Sequence, residues 1–454
     1  MKVNDIINVK IEKLVFGGEG MARYDNLVVF VPMSVPGDEL SIKIISVKKT
    51  YARGLIEKIN KPSVDRISTD KLSFEDYSGC DFAMMNYDAQ IKYKSEILKD
   101  IMKKNAKEDV KDDIYVEKSE DIFNYRNKVA EPFVKINGEI KTGFYRKKSH
   151  EIFTSEEVNL RSKVATEVLD KLLIKLNYFK RTKKEFKVFS DITNSGFLKT
   201  CVIRNNEKGE VMLVIVVNGK SALNHLKKTL FDFYKENEEV KSIYISIKNK
   251  IDNVIFGDEF IKVIGASFII EDIFGINFKI FPNSFFQINK KQTEKLYSEA
   301  LKFLGDYREK NVIDAFSGTG TIAMIMAQKA NKVIGLELVP ESVKAAIHTS
   351  LENDIKNTEF IIGKVEDTIT KVLENNKIDY IVFDPPRKGI DKFVLEKVNE
   401  SGIKRLVYIS CDPTTLARDI SILKEYGYNL KFIKGFDMFP QTHHIETLVL
   451  MEKE

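Results

Sequence analysis

Three segments of the chain place reactive side chains at the ends of apolar strands. In Leu406-Val407-Tyr408-Ile409-Ser410-Cys411-Asp412-Pro413, a run of apolar residues delivers a cysteine to an Asp-Pro turn. Most lone cysteines behave as small buried hydrophobes, but one at a strand end can act as a nucleophile once its thiolate is exposed. Asp379-Tyr380-Ile381-Val382-Phe383-Asp384-Pro385-Pro386-Arg387-Lys388-Gly389 ends a second apolar strand in an acid and two prolines. Each proline bars the residue before it from helical geometry, so Asp384 is held stiffly at the strand terminus. His443-His444-Ile445-Glu446-Thr447-Leu448-Val449-Leu450 begins a last strand with a carboxylate, a position that is more often simply solvated.

A fourth segment fits a nucleotide-like ligand. Val312-Ile313-Asp314-Ala315-Phe316-Ser317-Gly318-Thr319-Gly320 leaves a strand and enters the helix from Thr321 to Ala327. Its glycines, Gly318 and Gly320, let backbone approach a ligand at a strand–helix turn. The next strand, Val333-Ile334-Gly335-Leu336-Glu337, ends in a carboxylate that can accept from both ribose hydroxyls. With Ala323 three residues after Gly320, the dinucleotide pattern is also met. On these residues alone a nicotinamide dehydrogenase stays open.

These residues need a parallel sheet to bring them to one edge. From about 276 onward short apolar strands alternate with helical patterns, the rhythm of a doubly wound α/β domain spanning 276–454. Residues 1–58 read as a small β-barrel with turns at Gly17-Gly18-Glu19-Gly20 and Val35-Pro36-Gly37-Asp38; Lys43, Lys48, Lys49, Arg53 and Lys58 crowd its second half. Residues 59–275 form a central, mainly β region with an Asn137-Gly138 hairpin signal, a lysine-rich helix over 86–107 that could pack on the catalytic domain, and another between 159 and 187.

With 43% hydrophobic and 31% charged residues, the chain has well-formed cores and is not disordered. Its net charge of +5 permits a nucleic-acid partner without requiring one. Three cysteines, Cys80, Cys201 and Cys411, are too few for a disulfide framework. That points to a reducing, cytoplasmic setting. No apolar run is long enough for a membrane span, and nothing marks a signal peptide or an obligatory protein partner.

Taken in order, Phe285-Phe286-Gln287-Ile288-Asn289, Asp314 to Gly320, Glu337-Leu338-Val339-Pro340-Glu341, Asp384 to Gly389, Ser410 to Asp419 and His444-Ile445-Glu446-Thr447 resemble the signatures of the uracil-5 RNA methyltransferase family, of the type that makes 5-methyluridine in 23S rRNA. The first 58 residues resemble the TRAM module, an RNA-binding barrel. The middle is similar more loosely, at Tyr125-Arg126-Asn127-Lys128 and Gly143-Phe144-Tyr145-Arg146.

The resemblance implies S-adenosylmethionine as methyl donor, contacted by Gln287, Phe316, Gly318, Gly320, Glu337 and Asp384. It implies Cys411 as the nucleophile that adds to uracil C6 and Glu446 as the base that removes the C5 proton. Phe285 becomes a candidate platform for the uracil, and Arg126, Lys128, Arg146, Lys147 and Lys148 candidate RNA contacts. The TRAM-like front end favours large-subunit rRNA over tRNA. Many ribosomal members carry an iron–sulfur cluster on four cysteines. Only Cys80 remains in the segment Ser78 to Gln90, and Val158 stands near the expected fourth ligand, so neither a cluster nor another metal is expected. Lys364 replaces an acidic or amide residue that could meet the adenine, and Ser317 a common cysteine. A non-catalytic RNA-binding protein is the remaining alternative, although Cys411, Glu446, Glu337 and Asp384 are all intact.

Overall fold

The structure is a computed structural model and describes the chain except residues 68–78, 109, 111–113, 146–150, 155–159, 251 and 253. Arg146, Lys147, Lys148 and Val158 therefore lie outside the described residues. The chain forms two compact units, Met1–Ile122 with Lys291–Glu454, and Phe123–Lys290.

In the first unit, alternating apolar positions fold the front end into a six-stranded sheet. Its order is Ile6–Lys10, Glu39–Val47, Tyr51–Lys61, Leu27–Pro32, Glu19–Tyr24 and Lys13–Leu14. Val9, Ile11, Ala22, Val29, Val31, Leu40, Ile42 and Ile44 fill its interior.

The same unit contains an eight-stranded sheet: Thr358–Ile362, Lys332–Glu337, Asn311–Ala315, Tyr380–Phe383, Arg405–Ser410, Glu446–Lys453, Tyr428–Phe436 and Val116–Glu117. The first five are parallel to one another, and Glu446–Lys453 runs antiparallel between Arg405–Ser410 and Tyr428–Phe436. Strand order reverses at Asn311–Ala315. Its neighbours are Lys332–Glu337, the next strand in the chain, and Tyr380–Phe383, reached only after a crossover. Open α/β sheets bind ligands at such a switch point, outside the carboxyl ends of the strands.

The domain borders differ from the expected 59 and 275. The helix Tyr87–Ile101, capped by the Asn86 side chain, belongs with the catalytic sheet, as does the edge strand Val116–Glu117. Its Tyr93, Ile97 and Leu98 are buried, and Lys94 forms a fully buried ion pair with Asp437 (2.5 Å). Conversely, the hairpin Ile269–Ile273/Ile276–Ile280 and the loop up to Lys290 belong to the other unit.

That second unit is a six-stranded sheet, ordered Glu259–Gly265, Val240–Ile247, Val211–Val217, Leu198–Asn205, Lys128–Ile136 and Glu139–Thr142. The expected Asn137-Gly138 turn joins the last two, with both residues at positive φ (51° and 79°) as a two-residue hairpin requires. Helices Lys163–Asn177 and Leu223–Glu236 share a core with one face. The second helix escaped the sequence reading, although Leu226, Leu230 and Phe233 have helical spacing.

Candidate active site

The strand Asn311–Ala315 feeds a turn whose backbone is bent for close approach. Gly318 and Gly320 have φ of +55° and +77°, and a Cβ on Gly320 would meet the Phe360 ring at 2.7 Å. Phe316 also has positive φ, 67°, which costs a bulky residue of order 1–3 kcal/mol and persists only where the surroundings impose it. Glu337 is fixed by two backbone donors, Gly318 N to Oε2 (2.9 Å) and Val339 N to Oε1 (2.8 Å). Its carboxylate thus stands at the turn, flanked by the exposed side chains of Leu338, Val339 and Ile362. Asp314 is buried inside the strand. One of its oxygens accepts from Ala323 N (2.9 Å), while Oδ1 and the nearby Ser317 Oγ have no partner among the described residues. A glycine cradle, a ribose-type carboxylate, an apolar rim and orphaned polar atoms fit a nucleoside-bearing cofactor. Lys364 sits at the cap of the helix Val365–Asn375, with Gly363 N bonded to Glu337 O (2.9 Å).

Asp384 lies across the switch point, its amide donating to Ala315 O (3.3 Å). The side chain keeps some exposure, yet desolvation pushes its carboxyl up to about 7. The same burial, with the charges of Asp384 and Glu337 adding to it, holds Asp314 well above the usual carboxylate range. The consequence for stability is testable. A raised folded-state value contributes stability that is full below about pH 4, the unfolded value, and is lost as pH rises through about 7. Asp384→Asn, which does not titrate, should therefore be more stable than the parent at pH 8 by up to roughly 4 kcal/mol, with the difference vanishing near pH 4. Thermal melts across that range check it; equal melting temperatures at pH 8 would show that Asp384 is not held in a desolvated site.

Cys411 follows the strand Arg405–Ser410. Ser410 Oγ donates to Asp412 O (3.0 Å), and Asp412 caps the helix Pro413–Glu425 by accepting from the amides of Thr414 (2.9 Å) and Thr415 (3.3 Å). The thiol is partly open to solvent. Burial, then Glu446, then Asp384 push it up to about 11, against the opposing pull of Arg387. It is not a resting thiolate.

Glu446, the first residue of its strand, is buried. Burial and the charge of Asp384 hold it well above the usual carboxylate range, again opposed by Arg387. The thiol and the two carboxylates therefore share one electrostatic environment. His444 is pushed down to about 4, chiefly by burial and then by His443 and Arg387, so it offers no positive charge at neutral pH.

Several residues to which the sequence reading assigned no role build the scaffold of this site. Arg418 donates to the carbonyls of Lys388 (3.0 Å) and Ile390 (3.2 Å) and pairs with Asp419. Asp419 accepts from Ile390 N (2.9 Å) and Tyr408 OH (2.8 Å). The Asp-Pro-Pro loop is thus tied to the cysteine's helix. Gly389 must be glycine at that crossing, because φ is +74° and a Cβ would stand 2.6 Å from both side chains.

Upstream of Glu446, Gln441 is buried at a positive φ of 70° and clamped by Gln90, which accepts from its amide (3.1 Å) and donates to its side chain (2.9 Å). Asp81 accepts from both His443 N (2.9 Å) and His443 Nδ1 (2.5 Å). The sequence signal for Asp314 and Asp419 was an acid within an apolar pattern; nothing local marked Gln441.

The other predicted residues lie in the Phe123–Lys290 unit and come together there. Phe285 is exposed and Gln287 half-buried on the loop after Ile280. Asn127, between Arg126 and Lys128, grips that loop through its amide to Ile288 O (2.9 Å) and its side chain to Gln287 O (3.0 Å). Cys80 and Cys201 are both buried, as expected of core residues.

A doubly wound sheet whose last strand, Glu446–Lys453, lies antiparallel beside Arg405–Ser410, and a glycine turn paired with a carboxylate at the end of the next strand, define the class of S-adenosylmethionine-dependent methyltransferases. The tRNA (uracil-5-)-methyltransferase model matches residues 86–454, and the TRAM domain model residues 1–56. The chain belongs to the tRNA (uracil-5-)-methyltransferase family, whose members use S-adenosylmethionine to methylate RNA.

An uncharacterized RNA methyltransferase of Fusobacterium nucleatum is 46% identical over 100% of this chain and 97% of its own length. One of Clostridium acetobutylicum is 38% identical over 100% and 98%. Pyrococcus abyssi tRNA (uracil-54, C5)-methyltransferase, solved in complex with S-adenosyl-L-homocysteine, superposes with a TM-score of 0.78 at 25% identity, covering 98% of this chain and 99% of that one. Family membership excludes the dehydrogenase and the non-catalytic binding protein. No helix among the described residues is long and apolar enough to cross a membrane.

Proposed function

We propose that this enzyme methylates C5 of a uridine in 23S rRNA through a covalent adduct between Cys411 and uracil C6. What supports this most is the shared environment of Cys411, Glu446 and Asp384 beside the glycine turn. S-adenosylmethionine, when bound, supplies an electrophilic methyl group; Gly318, Gly320, Phe316, Glu337, Asp384 and Gln287 are the residues that would hold it. Uracil C5 is a weak nucleophile. Addition of the Cys411 sulfur to C6 forms an S–C6 bond and moves electron density onto C5 and O4.

A thiol near 11 needs an acceptor for its proton as C6 arrives, and Asp384, its carboxyl near 7, is assigned that proton, which leaves Glu446 free for the later step. Once C5 is methylated, Glu446 takes the C5 proton, the C5–C6 double bond re-forms and the S–C6 bond breaks; the departing thiolate takes its proton back from Asp384, and Glu446 passes the C5 proton to solvent. Phe285 is the candidate platform for the extruded base, and Arg126 and Lys128 are candidate RNA contacts. No iron–sulfur cluster belongs to this reading, since four thiolates are required and the chain has three cysteines.

The likeness to the archaeal tRNA enzyme spans the barrel as well, so the barrel alone does not separate rRNA from tRNA, and tRNA stands as the second reading. Incubating the protein with methyl-labelled S-adenosylmethionine and either 23S rRNA or tRNA transcripts, followed by nucleoside mass mapping, tests both. 5-Methyluridine in 23S rRNA is the expected result. Label in tRNA alone would move the substrate, and label in neither would overturn the function.

A further inference from the structure

Glu446 stands at the end of a ladder. Thr447, the next residue, pairs with Ser410 on one side, and Glu446 itself pairs with Phe436 on the other. Continuing the first register by one residue sets Glu446 opposite Cys411. Residues 437–445 are therefore a loop closed at Phe436 and Glu446, and His444 and Ile445 precede the ladder. Terminal ladder positions fray unless something outside the sheet tethers them. Gln90 and Lys94 hold the earlier part of this loop, at Gln441 and Asp437. Its last turn is held at His443.

Two distant parts of the same unit meet at that residue. Asp81, 5% exposed, accepts from His443 N (2.9 Å) and from His443 Nδ1 (2.5 Å). Two bonds to one residue fix its backbone and its ring together. The barrel reaches it as well. Gly18, buried in the turn between Lys13–Leu14 and Glu19–Tyr24, packs so closely that a Cβ on it would stand 3.1 Å from His443 Cβ and 3.2 Å from Asp81 Oδ2. Its φ of +83° is a second reason for glycine there. The Phe16 ring meets the His443 ring edge-on (6.1 Å, 83°), and the rings of His443 and His444 lie 4.2 Å apart. Barrel turn, buried acid and both histidines thus form one continuous series of contacts that ends two residues before Glu446.

We infer that Asp81 and His443, backed by the barrel turn at residues 16–18, are positioning residues for Glu446: they hold the start of its strand so that its carboxylate meets the C5 proton. The inference rests on the base role proposed above for Glu446. Neither residue touches the uracil; both act through the backbone that carries the base. A reacting group displaced by about 1 Å can lose roughly 100-fold in rate. Proton removal follows adduct formation and methyl transfer, so the whole defect of a mispositioned Glu446 falls on one late step. The barrel thereby takes a part in catalysis that is separate from gripping RNA.

The test follows single turnovers of the full chain on whichever of the 23S rRNA and tRNA transcripts accepts methyl label from the parent, made with ordinary or C5-deuterated uridine. In Asp81→Ala and His443→Ala, methyl transfer should stay within about threefold of the parent, while resolution of the methylated adduct slows by roughly 10- to 100-fold. The adduct should then persist on denaturing gels, and deuterium at C5 should slow its resolution further. Asp81→Asn keeps an acceptor for His443 N and an amide facing Nδ1, so it should recover most of the parental rate. Gly18→Ala should reproduce the adduct, because its Cβ would press on both His443 and Asp81. The bonds of Gln90 and Lys94 remain in every variant and keep the rest of the loop in place. Equal slowing of methyl transfer and resolution, without an isotope effect, would mark a merely structural role and overturn the assignment. A Gly18→Ala enzyme that lost only RNA affinity would overturn the barrel's part. Glu446→Gln run alongside separates the two readings: an adduct there but not in Asp81→Ala sinks the positioning role alone, and an adduct in neither sinks both.

Discussion

Cys411→Ala is expected to lose uridine methylation by roughly 10,000-fold or more while binding S-adenosylmethionine within about twofold of the parent. The split follows from the architecture. The proposed cofactor contacts come from the glycine turn and Glu337, whose carboxylate is held by Gly318 N and Val339 N, and neither of those bonds involves the cysteine. Without the sulfur, C5 receives no electron density from C6, and the barrier rises by about 5 kcal/mol or more. The variant should fold normally, because the strand-to-helix junction is built by Ser410 and Asp412 and the thiol is partly exposed. Single-turnover transfer to RNA and cofactor titration decide the matter together. Turnover near the parental rate would remove Cys411 from the nucleophile role.

Glu446→Gln is expected to stall one step later and accumulate a protein–RNA adduct that survives denaturing electrophoresis. Adduct formation and methylation leave a proton on C5, and the S–C6 bond cannot break until that proton is taken. Glutamine keeps the shape of the buried side chain but accepts no proton. Removing the acid also takes away one charge that holds the Cys411 thiol up, so the variant should form its thiolate more readily than the parent. Both effects raise the adduct fraction, and steady-state turnover should fall by roughly 100- to 10,000-fold. Cys411→Ala/Glu446→Gln should show no adduct. An adduct-free Glu446→Gln enzyme with slow but complete turnover would assign the proton to another base.

Much of this was legible from residue order alone. Strand-end chemistry is local: an apolar run that stops at Asp384-Pro385-Pro386 or at Cys411-Asp412-Pro413 fixes both the element and the edge where its last residue stands. The alternation of strands and helices implied a parallel sheet, and a parallel sheet sends the ends of consecutive strands to one side. The family resemblance supplied the rest of the proposed cofactor set.

The domain border was not legible, because the helix Tyr87–Ile101 carries an apolar stripe that any neighbouring sheet could cover. Its attachment to the catalytic sheet depends on the partners of Lys94 and Gln90, Asp437 and Gln441, more than 340 residues away.

What the sequence determined by itself was the set of reactive groups and the sheet edge that gathers them, since both follow from periodicity and from residues adjacent in the chain. Only the tertiary structure decided their protonation. Cys411 near 11, Asp384 near 7 and a raised Glu446 arise from desolvation and from charges contributed by different strands. The same holds for Lys128 and Arg204, which stand 76 positions apart in the chain and face each other only because strand register pairs them. Burial and long-range pairing are properties of the folded chain, and no local pattern encodes them.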